Sequence, residues 1–360
     1  MESVYIHIPF CKSICSYCDF CKVLYNGPWI TQYLNALVLE INDRYLGEEI
    51  KTLYIGGGTP SSLQIKDLKY LFDITKKFNL EKLEEFTFEC NLNDINEEML
   101  LLLKENGVNR LSIGIESFNE DKLKFMERNH TFKDAEEKIS LARNIGFDNI
   151  NVDLIYGIPG ESVKDLKKDI DLILKLRPDH ISTYSLIVED NTKIANMGIQ
   201  PIEEELDATM YETIIDKLKS KKFKHYEVSN FALDGKESKH NMKYWDNEEY
   251  YGFGAGAHGY IQGVRYENTR SITDYIKGNY LLKEEMLSKE DIMYNEIMLG
   301  FRKMDGISLE KFYNKFNVNI QDVFDFKQVL KDDEVIYDDG YLYINPEYIY
   351  VMNEILVKVL

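Results

Sequence analysis

The chain reads as an α/β protein, a parallel sheet curled into a partial (βα)6 barrel followed by a small C-terminal α+β appendage. Three observations lead there. Six strand-like runs alternate with helix-like runs between residues 4 and 221, a pattern that calls for parallel strands joined by right-handed crossovers. The glycine-rich element after the second strand run, Gly56-Gly-Gly-Thr-Pro-Ser61, is not the G-x-G-x-x-G of an open dinucleotide-binding sheet. Candidate polar residues gather at the C-terminal ends of the strand runs, where barrels place their chemistry. A doubly wound open sheet is the alternative.

Each element has its own signal. Val4 to Pro9 is a short apolar run broken by His7, a buried-strand pattern. Pro28 to Ile41 is amphipathic, with Pro in its first turn. Lys51 to Gly56 is the second strand; Ile65 to Phe78 is a helix with Leu68, Leu71 and Phe72 near one face. Glu85 to Cys90 alternates as a third strand, and the helix from Glu97 to Glu105 is closed by Gly107. Strands at Arg110–Ile115, Ile150–Tyr156 and His180–Leu186 follow, with helices at 133–144, 163–176 and 203–221. From about Leu287 the texture changes. Helical patterns at Lys289–Phe301 and Ser308–Phe316, a third over 320–330, and a hairpin turning at Asp339-Gly340 suggest a winged-helix-like unit. The expected organisation is a barrel over 1–230 with a cysteine loop at 11–21, a connecting segment over 231–286, and the appendage over 287–360.

Composition excludes several classes. The chain has 360 residues, 43 basic and 62 acidic, for a formal charge of −19. A nucleic-acid partner needs a basic face, and the winged-helix-like segment is not notably basic. No basic region followed by an apolar run opens the chain, and no apolar stretch reaches the ~18 residues of a membrane span. The expectation is a cytoplasmic protein that is not itself a membrane protein.

Four of the five cysteines lie within eleven residues, and Cys11, Cys15 and Cys18 have the spacing C-x3-C-x2-C. Thiolates hold soft metals and iron–sulfur clusters. Zinc prefers paired C-x2-C knuckles, and no second knuckle follows. A disulfide framework is out of place in a large chain without a signal peptide. Three thiolates on a cubane cluster leave one iron open for a small chelating ligand. Downstream, Gly57, Gly58 and Thr59 allow close backbone approach to a ligand, or form a plain turn. Glu89 closes the third strand, Glu116 the fourth, and Asp153 lies near the mouth at the fifth. Arg128 suits a ligand carboxylate or an ordinary ion pair. His240, in His240-Asn-Met-Lys-Tyr-Trp245, is either a satisfied structural histidine or an imidazole offered to haem iron.

Taken together, Tyr5-Ile-His-Ile-Pro-Phe-Cys11, Gly56-Gly-Gly-Thr-Pro-Ser61, Asn109-Arg-Leu-Ser-Ile-Gly114, Asp153-Leu-Ile-Tyr-Gly-Ile-Pro-Gly160 and His240-Asn-x-x-Tyr-Trp245 resemble the coproporphyrinogen-III-dehydrogenase-like branch of radical-SAM proteins over nearly the whole chain. Phe20 where the dehydrogenases carry a further Cys, the very short lead into the first strand, and the H-N-x-x-Y-W motif place it nearer the haem-chaperone (HemW) group. The resemblance implies a radical-SAM barrel in which Cys11, Cys15 and Cys18 hold a [4Fe–4S] cluster. It implies that Tyr5, Tyr17, Gly57, Gly58, Thr59, Glu89, Glu116, Arg128 and Asp153 surround S-adenosylmethionine, and that His240 is the haem-motif imidazole. The function implied is haem binding and transfer to an acceptor, a membrane-associated respiratory haem protein. Oxygen-independent decarboxylation of coproporphyrinogen III is the alternative, with a modifying enzyme for a non-porphyrin substrate behind it. Glu116 departs from the family's usual Gln, and Cys21 is an extra thiol beside the loop.

Overall fold

A computed structural model describes all 360 residues. Its centre is a run of parallel strands: β1 (Ser3–Ile8), β2 (Thr52–Gly57), β3 (Glu85–Asn91), β4 (Arg110–Glu116), β5 (Ile150–Tyr156) and β6 (His180–Ser185), each hydrogen-bonded to the next. The connecting helices are α1 (Gly27–Arg44), α2 (Ile65–Thr75), α3 (Glu97–Glu105), α4 (Phe132–Ile145) and α5 (Val163–Lys175), with α6 (Glu204–Lys219) after β6. Side-chain oxygens of Asn26, Asn96, Thr131 and Ser162 cap four of them, each satisfying an N–H that the first helical turn leaves without a partner.

The strands alternate where a parallel sheet covered on both faces ordinarily reads as continuously apolar. Leu53, Ile55, Phe86, Phe88, Leu111, Ile113, Val152 and Leu154 face the helices and form the main core. The intervening Tyr54, Glu89, Arg110, Ser112, Asn151, Asp153 and Ser182 line the concave side. Because side chains repeat every second residue along a strand, this alternation makes one face of the sheet a polar chamber.

Residues 231–286 are woven into the sheet rather than lying beside it. β7 (Lys224–Glu227) and β8 (Asn230–Ala232) add antiparallel strands beyond β6. After helix α7 (Lys239–Trp245), β9 (Tyr251–Phe253) pairs parallel with the outer edge of β1. A meander of β10 (His258–Ile261), β11 (Val264–Asn268) and β12 (Leu281–Met286) follows. Glu40 of α1, wholly buried, locks this segment down by accepting from Gly254 N at 2.9 Å, Asn268 Nδ2 at 2.6 Å and the Tyr275 hydroxyl at 2.5 Å.

The appendage contains α8 (Lys289–Gly300), α9 (Leu309–Phe316) and a small sheet of β13 (Ile307–Ser308), β14 (Val335–Asp338) and β15 (Tyr341–Ile344). Asp339 and Gly340 both have positive φ, 45° and 80°, as a tight hairpin turn requires. The helix expected over 320–330 is two short pieces, Ile320–Val323 and Lys327–Lys331. Phe324 and Phe326 are both buried, and side chains two apart reach one core only from extended backbone, which Phe324 adopts at φ −121° and ψ 142°. No helix is long and apolar enough to cross a membrane.

Candidate functional site

The cysteine loop leaves the C-terminal end of β1 and is pinched at its base. Phe10–Cys11 pairs with Val23–Leu24. Its middle is held from across the sheet by Ser16, whose Oγ donates to Phe125 O at 2.7 Å and whose N–H donates to Met126 O at 3.4 Å. All five cysteines are free thiols. Cys11, Cys15 and Cys18 line one cavity of about 530 Å3 at the strand C-termini, together with Tyr17, Gly57, Gly58, Thr59, Glu89, Glu116, Arg128 and Asp153. Thr59 Oγ1 donates to Cys11 Sγ at 3.2 Å, and Arg128 Nη1 donates to Cys15 Sγ at 3.7 Å. Burial pushes the Cys11 thiol up to about 11, with the Thr59 hydroxyl pulling it partly back.

The glycines are demanded by space. Gly57 has φ +114°, and a Cβ there would meet the His7 ring at 2.5 Å; one at Gly58 would meet the Pro9 carbonyl carbon at 2.7 Å. His7 in turn accepts this crowding to reach the loop, with Nε2 2.7 Å from Cys21 O. Glu116 is buried in the cavity wall, while Glu89 and Asp153 are half-buried and face the open space. Burial pushes Glu89 up to about 7, while the Tyr54 hydroxyl at 2.7 Å and the Gly57 N–H at 3.0 Å pull it partly back. Burial also raises Asp153, which accepts from Asn151 Nδ2 at 2.8 Å. Glu116 sits in left-handed backbone at φ 63°, at a register slip between β4 and β5. That twist turns its carboxylate to Arg128 Nη2 at 3.2 Å and the Tyr17 hydroxyl at 3.2 Å.

This donor set suits a cluster better than a single ion. No three Cys, His, Asp or Glu side chains converge on one point as a mononuclear metal requires, whereas a cubane spreads its thiolates over separate corners. The Radical SAM superfamily pattern matches residues 5–173, and the HemN C-terminal domain matches residues 287–351. "Heme chaperone HemW" of Lactococcus lactis subsp. lactis is 43% identical over 331 residues, covering 90% of this chain and 87% of that protein. The Bacillus subtilis protein of the same name is 42% identical over 92% of this chain and 91% of its own length. The chain belongs to the HemW heme-chaperone family. The Escherichia coli family member is 32% identical over 84% of this chain and 83% of its own length. In three dimensions the Escherichia coli coproporphyrinogen III oxidase HemN superposes with a TM-score of 0.87 over 99% of this chain and 89% of its own, at 20% identity, which shows the shared radical-SAM fold.

Within this HemW-family chain, two expected site residues stand back from the cavity. Tyr5 does not line it. Its hydroxyl is 3.0 Å from His7 Nδ1, so it reaches the loop only through the histidine that braces Cys21. His240 is 1% exposed, with Nδ1 2.9 Å from Thr52 Oγ1 and Nε2 2.8 Å from the Tyr244 hydroxyl. Both ring nitrogens are occupied, and burial lowers the imidazole to about 3. In this arrangement it is a neutral brace between α7 and β2 and does not present a free ligand nitrogen.

Cys21 is buried away from the cavity, its Sγ donating to Arg270 O at 3.4 Å. A Cβ on Gly256 would lie 2.4 Å from its Cβ; this thiol is packing. Sequence reasoning gave His7 and Arg110 no role. A histidine inside a buried apolar strand is a usable signal for the first. For Arg110 the signal is an arginine at an inward position of a buried strand.

Proposed function

We propose that this protein is a haem chaperone that binds haem and passes it to an acceptor protein, with a [4Fe–4S] cluster and S-adenosylmethionine at the cysteine-lined cavity. The observation that carries the reading is the sharing of one cavity by three free thiols, the glycine loop and the polar set Glu89, Glu116, Arg128 and Asp153. Family membership supports it, through relatives named heme chaperones.

Cys11, Cys15 and Cys18 would hold the cluster, whose open iron, when present, binds S-adenosylmethionine and supplies the electron for its cleavage. The chain's own residues do the rest. Thr59 and Arg128 donate to the sulfurs of Cys11 and Cys15, the kind of hydrogen bonding that tunes a cluster. Gly57 and Gly58 keep the backbone bare where a ligand must come close. Glu89 and Asp153 offer acceptors suited to hydroxyls. Arg128 faces the cavity with its charge balanced by Glu116. Haem ligation by His240 would require Tyr244 to give up Nε2.

The acceptor in this reading is a haem protein, membrane-associated and respiratory, and the chaperone works in the cytoplasm, where reducing conditions keep thiols available. The test is a haem titration of the anaerobically reconstituted protein with 5′-deoxyadenosine quantified alongside. Stoichiometric binding and transfer to an apo-acceptor are expected. Formation of protoporphyrinogen from coproporphyrinogen III at useful turnover would overturn the reading in favour of the decarboxylase.

A further inference from the structure

Arg110 opens β4, at the opposite end of the strand from Gly114 and Glu116 at the mouth. At about 3.3 Å per residue its backbone lies roughly 13 Å deeper than that of Gly114. The side chain lines the cavity and is 2% exposed. A guanidinium is always charged and carries five donors. Here its one side-chain hydrogen bond is a long one, Nη1 to Thr87 Oγ1 at 3.5 Å, and the buried Nε has no partner.

The other cations packed inside the protein have carboxylate partners. Lys122 Nζ lies 2.7 Å from Glu161 and 2.9 Å from Asp169, and Arg128, although its Nε also lacks a partner, pairs with Glu116 at 3.2 Å. Arg110 has no such ion pair. Two carboxylates of the cavity, Glu89 and Asp153, feel the Arg110 charge but make no ion pair with it; their hydrogen bonds go to Tyr54 and Gly57 and to Asn151. A buried charge with open donors is costly unless something pairs it. Ser112, Asn151 and Ser182 surround the same space and supply neutral polar walls.

We propose that Arg110 forms a carboxylate-binding subsite on the floor of the cavity, separate from the cysteine wall. The planar fork matches a carboxylate in bidentate fashion. The carboxylate belongs either to a small free acid or to an arm of a larger ligand in the same chamber. A haem propionate is such an arm, and that source alone rests on the chaperone reading.

The test uses the full-length reconstituted protein and has two parts. In the first, the unfolding midpoint is followed with acetate and with neutral acetamide at constant ionic strength. In the second, haem and its dimethyl ester are titrated. Wild type is compared with Arg110→Met. Either of two results is expected. Acetate, but not acetamide, raises the midpoint of wild type and not of the variant, which assigns a free acid. Or haem outbinds its ester on wild type and loses at least about tenfold affinity on the variant, which assigns an arm. Acetate without effect on wild type, together with equal binding of haem and ester, overturns the subsite. Both wild-type measurements stand even where Arg110→Met does not fold. Acetate without effect and no haem binding at all also overturns it. Failure of haem to bind while acetate still stabilises removes the chaperone reading and leaves the subsite.

Discussion

Glu227→Gln should make the protein more stable at pH 8 than wild type and change it little at pH 5. Glu227 closes β7 and is 1% exposed, with Oε1 lacking a hydrogen-bond partner. Burial pushes it up to about 7, with Asn230, the Ser229 backbone and Arg302 pulling it partly back. In the unfolded chain the same carboxyl titrates near 4.5. Between those values the native state keeps a proton that the unfolded state has released, so stability falls as pH rises through the window. Below it, both states are protonated and nothing is lost. At about 1.4 kcal/mol per pKa unit the full loss is at most about 3.5 kcal/mol. Glutamine keeps the shape and does not titrate. The buried histidines work in the opposite direction: His7, His130 and His225 are lowered to about 4 by burial, which adds stability as pH rises from there to their ordinary range. They are common to both proteins and cancel in the difference. Urea denaturation of wild type and variant at pH 5 and pH 8 gives that difference. A gap that stays constant, or that widens toward acid, would refute the assignment of a raised carboxyl at this position.

Three further outcomes concern the cysteine-lined site and its supports. Cys15→Ala should abolish the visible absorbance of the reconstituted cluster, and an unchanged spectrum would remove Cys15 from the ligand set. Gly57→Ala should cost more than about 1 kcal/mol and impair cluster loading, because φ +114° and the His7 ring at 2.5 Å leave no room for a Cβ; thermal unfolding and iron content report both. His240→Ala should lower stability by about 1–3 kcal/mol, by removing the buried ring's hydrogen bonds to Thr52 and to the half-buried Tyr244 hydroxyl. Tyr244→Phe, by contrast, frees Nε2 and should strengthen haem binding in a titration if His240 is the ligand; unchanged haem affinity in both variants would leave the histidine a brace only.

Much of the barrel was legible because its signals are local. The helix at Glu97–Glu105 follows from its cap and its apolar face, and β5 from the run Ile150–Tyr156. The cavity was legible because Gly57 and Glu116 end strands and Glu89 lies next to the end of one, and parallel strands bring their ends to one rim; Tyr17 and Arg128 reach it from loops. What stayed hidden depends on distant partners. β9 is three residues, Tyr-Gly-Phe, inside a glycine-rich tract, and only pairing with β1 makes it a strand. The roles of His240 and Tyr5 turned on which group occupies a ring nitrogen or a hydroxyl. For His240 that partner, Thr52, is 188 residues away. The Glu116 contact depends on a left-handed backbone angle for which a glutamate gives no cue. The break at Phe324 was written in two phenylalanines two apart, a strand-like spacing inside a helix-like region.

The pairing of β1 with β9 has a consequence during synthesis. One flank of β1 stays bare until some 250 further residues have been made, since its neighbour there is Tyr251–Phe253. The cysteine loop grows directly from that strand and leans on Arg270 and Gly256 through Asp19 and Cys21. A nascent chain halted before that point carries an open apolar β edge beside three reactive thiols. Pairing of β9 with β1 therefore closes that edge and completes the support of the cysteine loop in one event.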